Sequence, residues 1–187
     1  MSKLAFIFPG QGAQKAGMGK DFYENSEAAR SFFDQAQKIL DFDLKEMCFG
    51  EHEELNLTEY TQPCMVSVCL AIVQELIFDN ENPDITAGLS LGEYAAVAAA
   101  GGMNELDAIK LVRRRGILMQ STVPAGEGAM AAVLGLDAKK IEEILESFEN
   151  VWIANYNCPG QIVITGLTNE VQQASLALKE AGAKRVV

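Results

Sequence analysis

The chain has 187 residues, 49% hydrophobic and 22% charged, proportions of a soluble globular protein with room for one large domain or two small ones. Its formal net charge of −11 is the opposite of the basic footprint of a nucleic-acid binder. Its most hydrophobic run, Val66 to Val73, falls short of the ~18–20 apolar residues of a membrane span, so neither nucleic acid nor membrane is expected as a partner.

Leu4 to Phe8 is a continuous apolar run and predicts a buried parallel strand, ended by the tight loop Pro9-Gly10-Gln11-Gly12. Gly19 to Phe49 is helical in pattern: Phe32, Phe33, Ala36, Ile39 and Leu40 recur at three-to-four spacing, and Ser26 is a plausible N-cap. Gly50 to Asn56 reads as a polar, acidic loop. Thr61 to Phe78 predicts a helix with Pro63 in its first turn, apolar nearly all round and so buried on several sides. Asp84 to Leu89 predicts a short strand, and Glu93 to Ala100 an alanine-rich helix. Asn104 caps a further helix, with Asp107 at the capping-box position, running to about Gln120 and ending near Pro124.

The character changes at Gly126-Glu127-Gly128. Strands are predicted at Ala129 to Leu134, Val151 to Asn155, Gln161 to Thr165 and Lys184 to Val187, and helices at Ala138 to Ser147 and Glu170 to Ala181. That β-α-β-β-α-β order is the order of a ferredoxin-like unit. The expected domains are therefore residues 1–126 and 127–187. The first shows only two candidate parallel strands, and parallel sheets rarely stop at two. With the chain stopping in Val186-Val187, the expectation is an N-terminal portion of a larger protein whose sheet continues beyond Val187.

The four cysteines, Cys48, Cys64, Cys69 and Cys158, form no C-x-x-C pair, and one histidine, His52, makes no cluster. Free thiols and no metal site are expected. Met1-Ser2-Lys3 leads straight into a strand without a signal peptide, and free thiols with no export signal suggest the cytoplasm.

Gly88-Leu89-Ser90-Leu91-Gly92 has the G-x-S-x-G spacing of a nucleophile elbow, a strained strand-to-helix turn that exposes a serine hydroxyl. The plain alternative is a small-residue turn with a capping serine; the strand before and the helix after favour the elbow. The backbone N–H of Leu91, at a helix N-terminus, then serves an oxyanion. Gly10-Gln11-Gly12 is either a tight turn or a loop offering backbone N–H groups to an anion; it is no P-loop, since no G-K-[ST] follows. In Arg113-Arg114-Arg115, the first two read as a solvated helix face. Arg115 falls near the face of Leu111, Leu118 and Met119, so its guanidinium needs an anionic partner: a structural ion pair or a substrate carboxylate. His52, in Glu51-His52-Glu53-Glu54, reads as solvated, and nothing places it near Ser90. Asn155 to Gln161 reads as a hairpin-like link whose asparagines are turn chemistry, with a role at the cleft between the two units as the minority reading.

Taken together, these residues resemble the malonyl-CoA:acyl-carrier-protein transacylases of fatty-acid synthesis and the acyltransferase domains of polyketide synthases. The matching segments are Phe8-Pro9-Gly10-Gln11-Gly12, Gly88-x-Ser90-Leu91-Gly92-Glu93-Tyr94, Arg115-Gly116 with Met119-Gln120, Gly128 to Ala132, and Asn157 to Gln161. The resemblance implies that Ser90 takes a malonyl group from malonyl-CoA as an ester and passes it to the phosphopantetheine thiol of acyl carrier protein. It implies an oxyanion hole from the backbone N–H groups of Gln11 and Leu91, a carboxylate clamp at Arg115, an acyl pocket lined by Met119, and Asn157 near the cleft between subdomains. The implied fold is α/β: an α/β-hydrolase-like large subdomain, incomplete in this chain, with a ferredoxin-like small one. Malonyl-CoA enters as substrate, and no cofactor is implied.

Two departures stand out. Leu89 replaces the family's usual histidine before the serine. The family's catalytic histidine and a supporting glutamine lie beyond the last residue of this chain, so the chain alone is expected to be inactive. The alternatives are a serine hydrolase or lipase-like esterase, which has no need of Arg115, and a non-catalytic carrier-binding protein whose basic surface draws on Lys110, Arg113, Arg114, Lys184 and Arg185.

Overall fold

A computed structural model of the chain describes residues 3–123 and 126–187. The chain divides into two compact units, Met1–Thr122 and Val123–Val187, each with its own apolar core. Pro124, expected to mark a helix end, lies outside the described residues, as do Met1 and Ser2.

In the first unit, β1 (Ala5–Phe8) pairs in parallel with β2 (Ile85–Gly88), with Phe8 opposite Gly88. The helical stretch after the glycine loop divides into α1 (Lys20–Asn25), α2 (Glu27–Gln37) and α3 (Leu44–Phe49). Ser26 caps α2 as predicted, accepting from the Ala29 N–H at 2.9 Å, and its hydroxyl donates to the Glu75 carboxylate. Ala29, Phe32, Phe33 and Ala36 form the buried stripe of α2. The expected loop before the central helix contains a 3-10 turn, Glu53–Asn56.

The central helix α4 spans Thr58–Phe78, so Pro63 lies inside it rather than in its first turn. Proline there removes the N–H that the Glu59 carbonyl would accept. Arg113 fills the gap: its Nη1 donates to the Glu59 carbonyl at 2.8 Å. The same guanidinium donates to both oxygens of Asp41 at 2.9 Å and to the Glu59 carboxylate at 3.2 Å, and it lies over the rings of Phe42 and Tyr60. Arg113 is therefore not the solvated residue that the sequence suggested; its side chain is 13% exposed. Arg114 is exposed, as expected.

Among the described residues, α4 is the one helix long and apolar enough to cross a membrane, against the expectation that no segment would qualify. Thr61 to Ser67 and Leu70 are buried within the first unit, so its apolar surface serves the core. The remaining helices of this unit are α5 (Gly92–Ala99) and α6 (Glu105–Thr122); the Asn104 side chain caps α6, accepting from the Leu106 and Asp107 N–H groups.

The second unit has the predicted element order: β3 (Gly128–Leu134), α7 (Ala138–Leu145), β4 (Val151–Cys158), β5 (Gln161–Leu167), α8 (Thr168–Glu180) and β6 (Arg185–Val186). Its antiparallel sheet runs β4-β5-β3-β6. Ala131, Val133, Ile162 and Ile164 alternate inward to meet Ile141, Leu145, Val171, Ala174 and Leu178. Strand β4 is longer than predicted. Pro159-Gly160 alone makes the hairpin turn, with Gly160 at φ 81, so Asn155 and Asn157 belong to the strand and not to a link.

Candidate active site

Strand β2 carries the chain to Ser90. The Leu89 N–H still donates to the Phe8 carbonyl at 3.1 Å, after which Ser90 turns into the left-handed region at φ 50. The glycines on either side have a steric cause. A Cβ on Gly88 would lie 2.1 Å from the Gly92 carbonyl carbon, and one on Gly92 would lie 2.4 Å from the Phe8 carbonyl oxygen. Only glycine lets α5 start folded back over the strand end, with Ser90 exposed at the crest. Leu91 is buried immediately before α5, and among the described residues its N–H has no acceptor. An N–H at a helix N-terminus, under a favourable dipole, is suited to a developing oxyanion.

The glycine loop lies against this elbow: a Cβ on Gly10 would sit 2.9 Å from the Leu89 carbonyl oxygen. Side chains hold the loop in place. The Gly12 N–H donates to Gln14 Oε1 at 2.8 Å, and Gln14 Nε2 donates to Asn56 Oδ1 at 3.2 Å. Gln11 Nε2 donates to Thr58 Oγ1 at 3.0 Å. The Gln11 N–H, like that of Leu91, has no acceptor among the described residues.

Helix α6 supplies the third side. Arg115 Nη2 is 3.5 Å from Ser90 Oγ, at the outer limit of a hydrogen bond, and its guanidinium lies 5.6 Å from the centre of the Tyr94 ring. No carboxylate pairs with Arg115 among the described residues, in contrast to Arg113. Of the two readings open from sequence, the structural ion pair is therefore not the one seen. The forked donors of Arg115 remain available beside the serine. A Cβ on Gly116 would lie 2.8 Å from the Thr58 carbonyl oxygen, so α6 comes close to α4 at this level. There the Thr58 N–H donates to Gln120 Oε1 at 3.0 Å, and Gln62 Nε2 meets Met119 Sδ at 3.3 Å.

Ser90, Gln11, Leu91, Arg115 and Met119 thus share one region of the first unit. Asn157 belongs to the second unit, exposed at a register shift of β4 between Tyr156 and Cys158. His52 is half-buried and paired with Glu46 Oε1 at 3.0 Å, not freely solvated, and it makes no hydrogen bond to Ser90. The cysteines are free thiols. Contact with Cys64 and burial push the Cys48 thiol up, and burial pushes Cys69 up to about 11, so both stay protonated near neutrality. No group of three or more metal-ligating side chains occurs among the described residues. Sequence reading missed Gln62 and Thr58, and it gave Tyr94, which stands in the matching motif, no role of its own. Tyr94 is four residues past the serine on the emerging helix, and Gln62 is an amide standing next to Pro63 in an apolar run.

A serine on a strained turn, two unengaged N–H groups and a guanidinium without a carboxylate suit acyl transfer from a donor bearing a negative charge. The chain is 47% identical to the malonyl CoA-acyl carrier protein transacylase of Bacillus subtilis (strain 168), over 100% of this chain and 61% of that protein. It is 46% identical to the Staphylococcus aureus (strain MSSA476) protein of the same name. Among solved structures, the Clostridium perfringens malonyl CoA-acyl carrier protein transacylase aligns at a TM-score of 0.87 and 42% identity, covering 100% of this chain and 60% of that one. A malonyl-transacylase in complex with a type II PKS acyl-carrier protein aligns at 0.90 and 39%, covering 100% and 62%. The chain thus spans about three-fifths of the length of these relatives. The profile of the acyl transferase domain matches residues 5–187, and the chain, of mixed α/β fold, belongs to that family.

Proposed function

We propose that these residues form the nucleophile side of a malonyl-CoA:acyl-carrier-protein transacylase site. Ser90 Oγ attacks the thioester carbonyl of malonyl-CoA while a base takes its proton. The N–H groups of Gln11 and Leu91 hold the tetrahedral oxyanion, whose collapse expels the CoA thiolate; that thiolate takes the proton from the base. Attack of the phosphopantetheine thiol on the seryl ester reverses these steps and frees Ser90. Arg115 binds the free carboxylate of the malonyl group, and Met119 lines the acyl pocket. The order β4-β5-β3-β6 supports a ferredoxin-like description of that unit, and the strand–elbow–helix of the first supports an α/β-hydrolase-like one.

The observation that carries this reading is the guanidinium of Arg115 beside Ser90 Oγ, with no carboxylate of its own among the described residues. No described side chain stands ready to take the Ser90 proton. We assign the base to the part of the longer relatives that this chain does not span. The test is intact-mass and peptide mapping of the full-length protein after exposure to malonyl-CoA without acceptor. One malonyl ester on the Ser90 peptide is expected, absent from Ser90→Ala. An ester on another residue, or none, contradicts the reading.

A further inference from the structure

We propose that Gln62 is a positioning residue for acyl transfer, an inference that rests on the function proposed above. Gln62 is fully buried on the apolar helix α4. Its Nε2 faces acceptors on two walls of the site, Gln11 Oε1 at 3.5 Å and Met119 Sδ at 3.3 Å. Its Oε1 is buried without a hydrogen-bond partner among the described residues. A methionine fills the same volume without stranding an acceptor, so packing alone does not account for an amide here.

The contacts of Gln62 close a circuit. Gln120 Oε1 holds the Thr58 N–H, Thr58 Oγ1 holds Gln11 Nε2, Gln11 Oε1 faces Gln62 Nε2, and Gln62 returns to Met119, the neighbour of Gln120 on α6. The ring ties the Gln11 loop to the wall that carries Met119. Gln62 is the link on its buried side. It touches neither Ser90 nor the reacting atoms, so it acts through Gln11. Oxyanion donors work only when held within about 0.5 Å of their productive geometry. Opening the ring loosens the Gln11 N–H without altering the bound carboxylate.

The experiment uses the full-length protein and malonyl-CoA. Gln62→Met is expected to lower kcat for Ser90 malonylation about tenfold, because removing an oxyanion donor outright costs roughly 10²–10³ and this variant only loosens one. KM for malonyl-CoA should stay within about twofold, since the loss falls on the transition state. The thermal midpoint should hold or rise, which a merely structural role would not give. Gln11→Ala should show the same fall, and the double variant should be no worse than either single one, as expected of residues acting through one contact. Wild-type kcat in folded Gln62→Met, or additive losses in the double variant, overturns the inference. If Gln62→Met does not fold, Gln11→Ala decides: it keeps the backbone donor, and an unchanged kcat overturns the inference. A wild-type protein that forms no Ser90 ester instead overturns the proposed function and this inference with it.

Discussion

Ser90 occupies the left-handed region at φ 50, where a non-glycine residue costs about 1–3 kcal/mol. That cost brings the hydroxyl to an exposed crest near the Gln11 and Leu91 N–H groups, which have no acceptor among the described residues, and Arg115 adds a positive charge beside it. If Arg115 grips the malonyl carboxylate, the preference for malonyl over acetyl donors resides in this one side chain. Arg115→Ala in the full-length protein is expected to reduce the malonyl-to-acetyl ratio of kcat/KM by about 10²-fold, the ~3 kcal/mol of a paired charge-assisted hydrogen bond. Arg115→Lys should recover part of it, lacking the planar fork. An unchanged ratio in Arg115→Ala removes the clamp. Ser90, Gln11 and Arg115 were legible in the sequence because each stands in a short motif whose spacing has a steric or chemical cause. Gln62 was not, because its partners lie 51 and 57 positions away.

Helix α4 shows what pattern reading at the scale of an element leaves out. Its apolar surface was plain from Thr61 onward, but it begins at Thr58, which places Pro63 inside and strands the Glu59 carbonyl. Nothing local to residues 105–122 reveals that Arg113 answers a defect on another helix, so it read as surface. Arg113→Ala should lose about 1–3 kcal/mol of unfolding free energy by urea titration, chiefly from the unpaired Glu59 carbonyl, with a smaller part from the pair to Asp41, whose carboxylate is exposed. A loss under about 0.5 kcal/mol, typical of a surface position, would contradict this. The pH dependence has a definite sign. The Arg113 hydrogen bonds hold the Asp41 carboxyl below its ordinary value of 3.8. Its contribution is therefore full above the unfolded value and is lost as pH falls through the lower folded one. The stability gap between wild type and Asp41→Asn should stay level from about pH 7 to 5 and close only in stronger acid.

Across the whole chain, the division into a helix-rich first unit and a β-α-β-β-α-β second unit was readable because the second alternates apolar residues with period two between glycine-rich turns. The ends of its strands were less so. Asn157 read as turn chemistry because asparagine before proline and glycine favours turns, whereas ladder pairing with β5 carries β4 through Cys158. On the proposed function, this chain holds nucleophile, oxyanion donors and carboxylate clamp, while the base belongs to the remaining length of its relatives. The measurement that tests it most directly is the rate of malonyl transfer from malonyl-CoA to holo acyl carrier protein. It compares the full-length protein with the 187-residue chain, both verified as folded by circular dichroism. Ser90-dependent turnover by the full-length protein is expected, with a rate about 10²–10⁴-fold lower for the chain, the usual worth of a general base. Turnover by the chain within about tenfold of the full-length rate would contradict it.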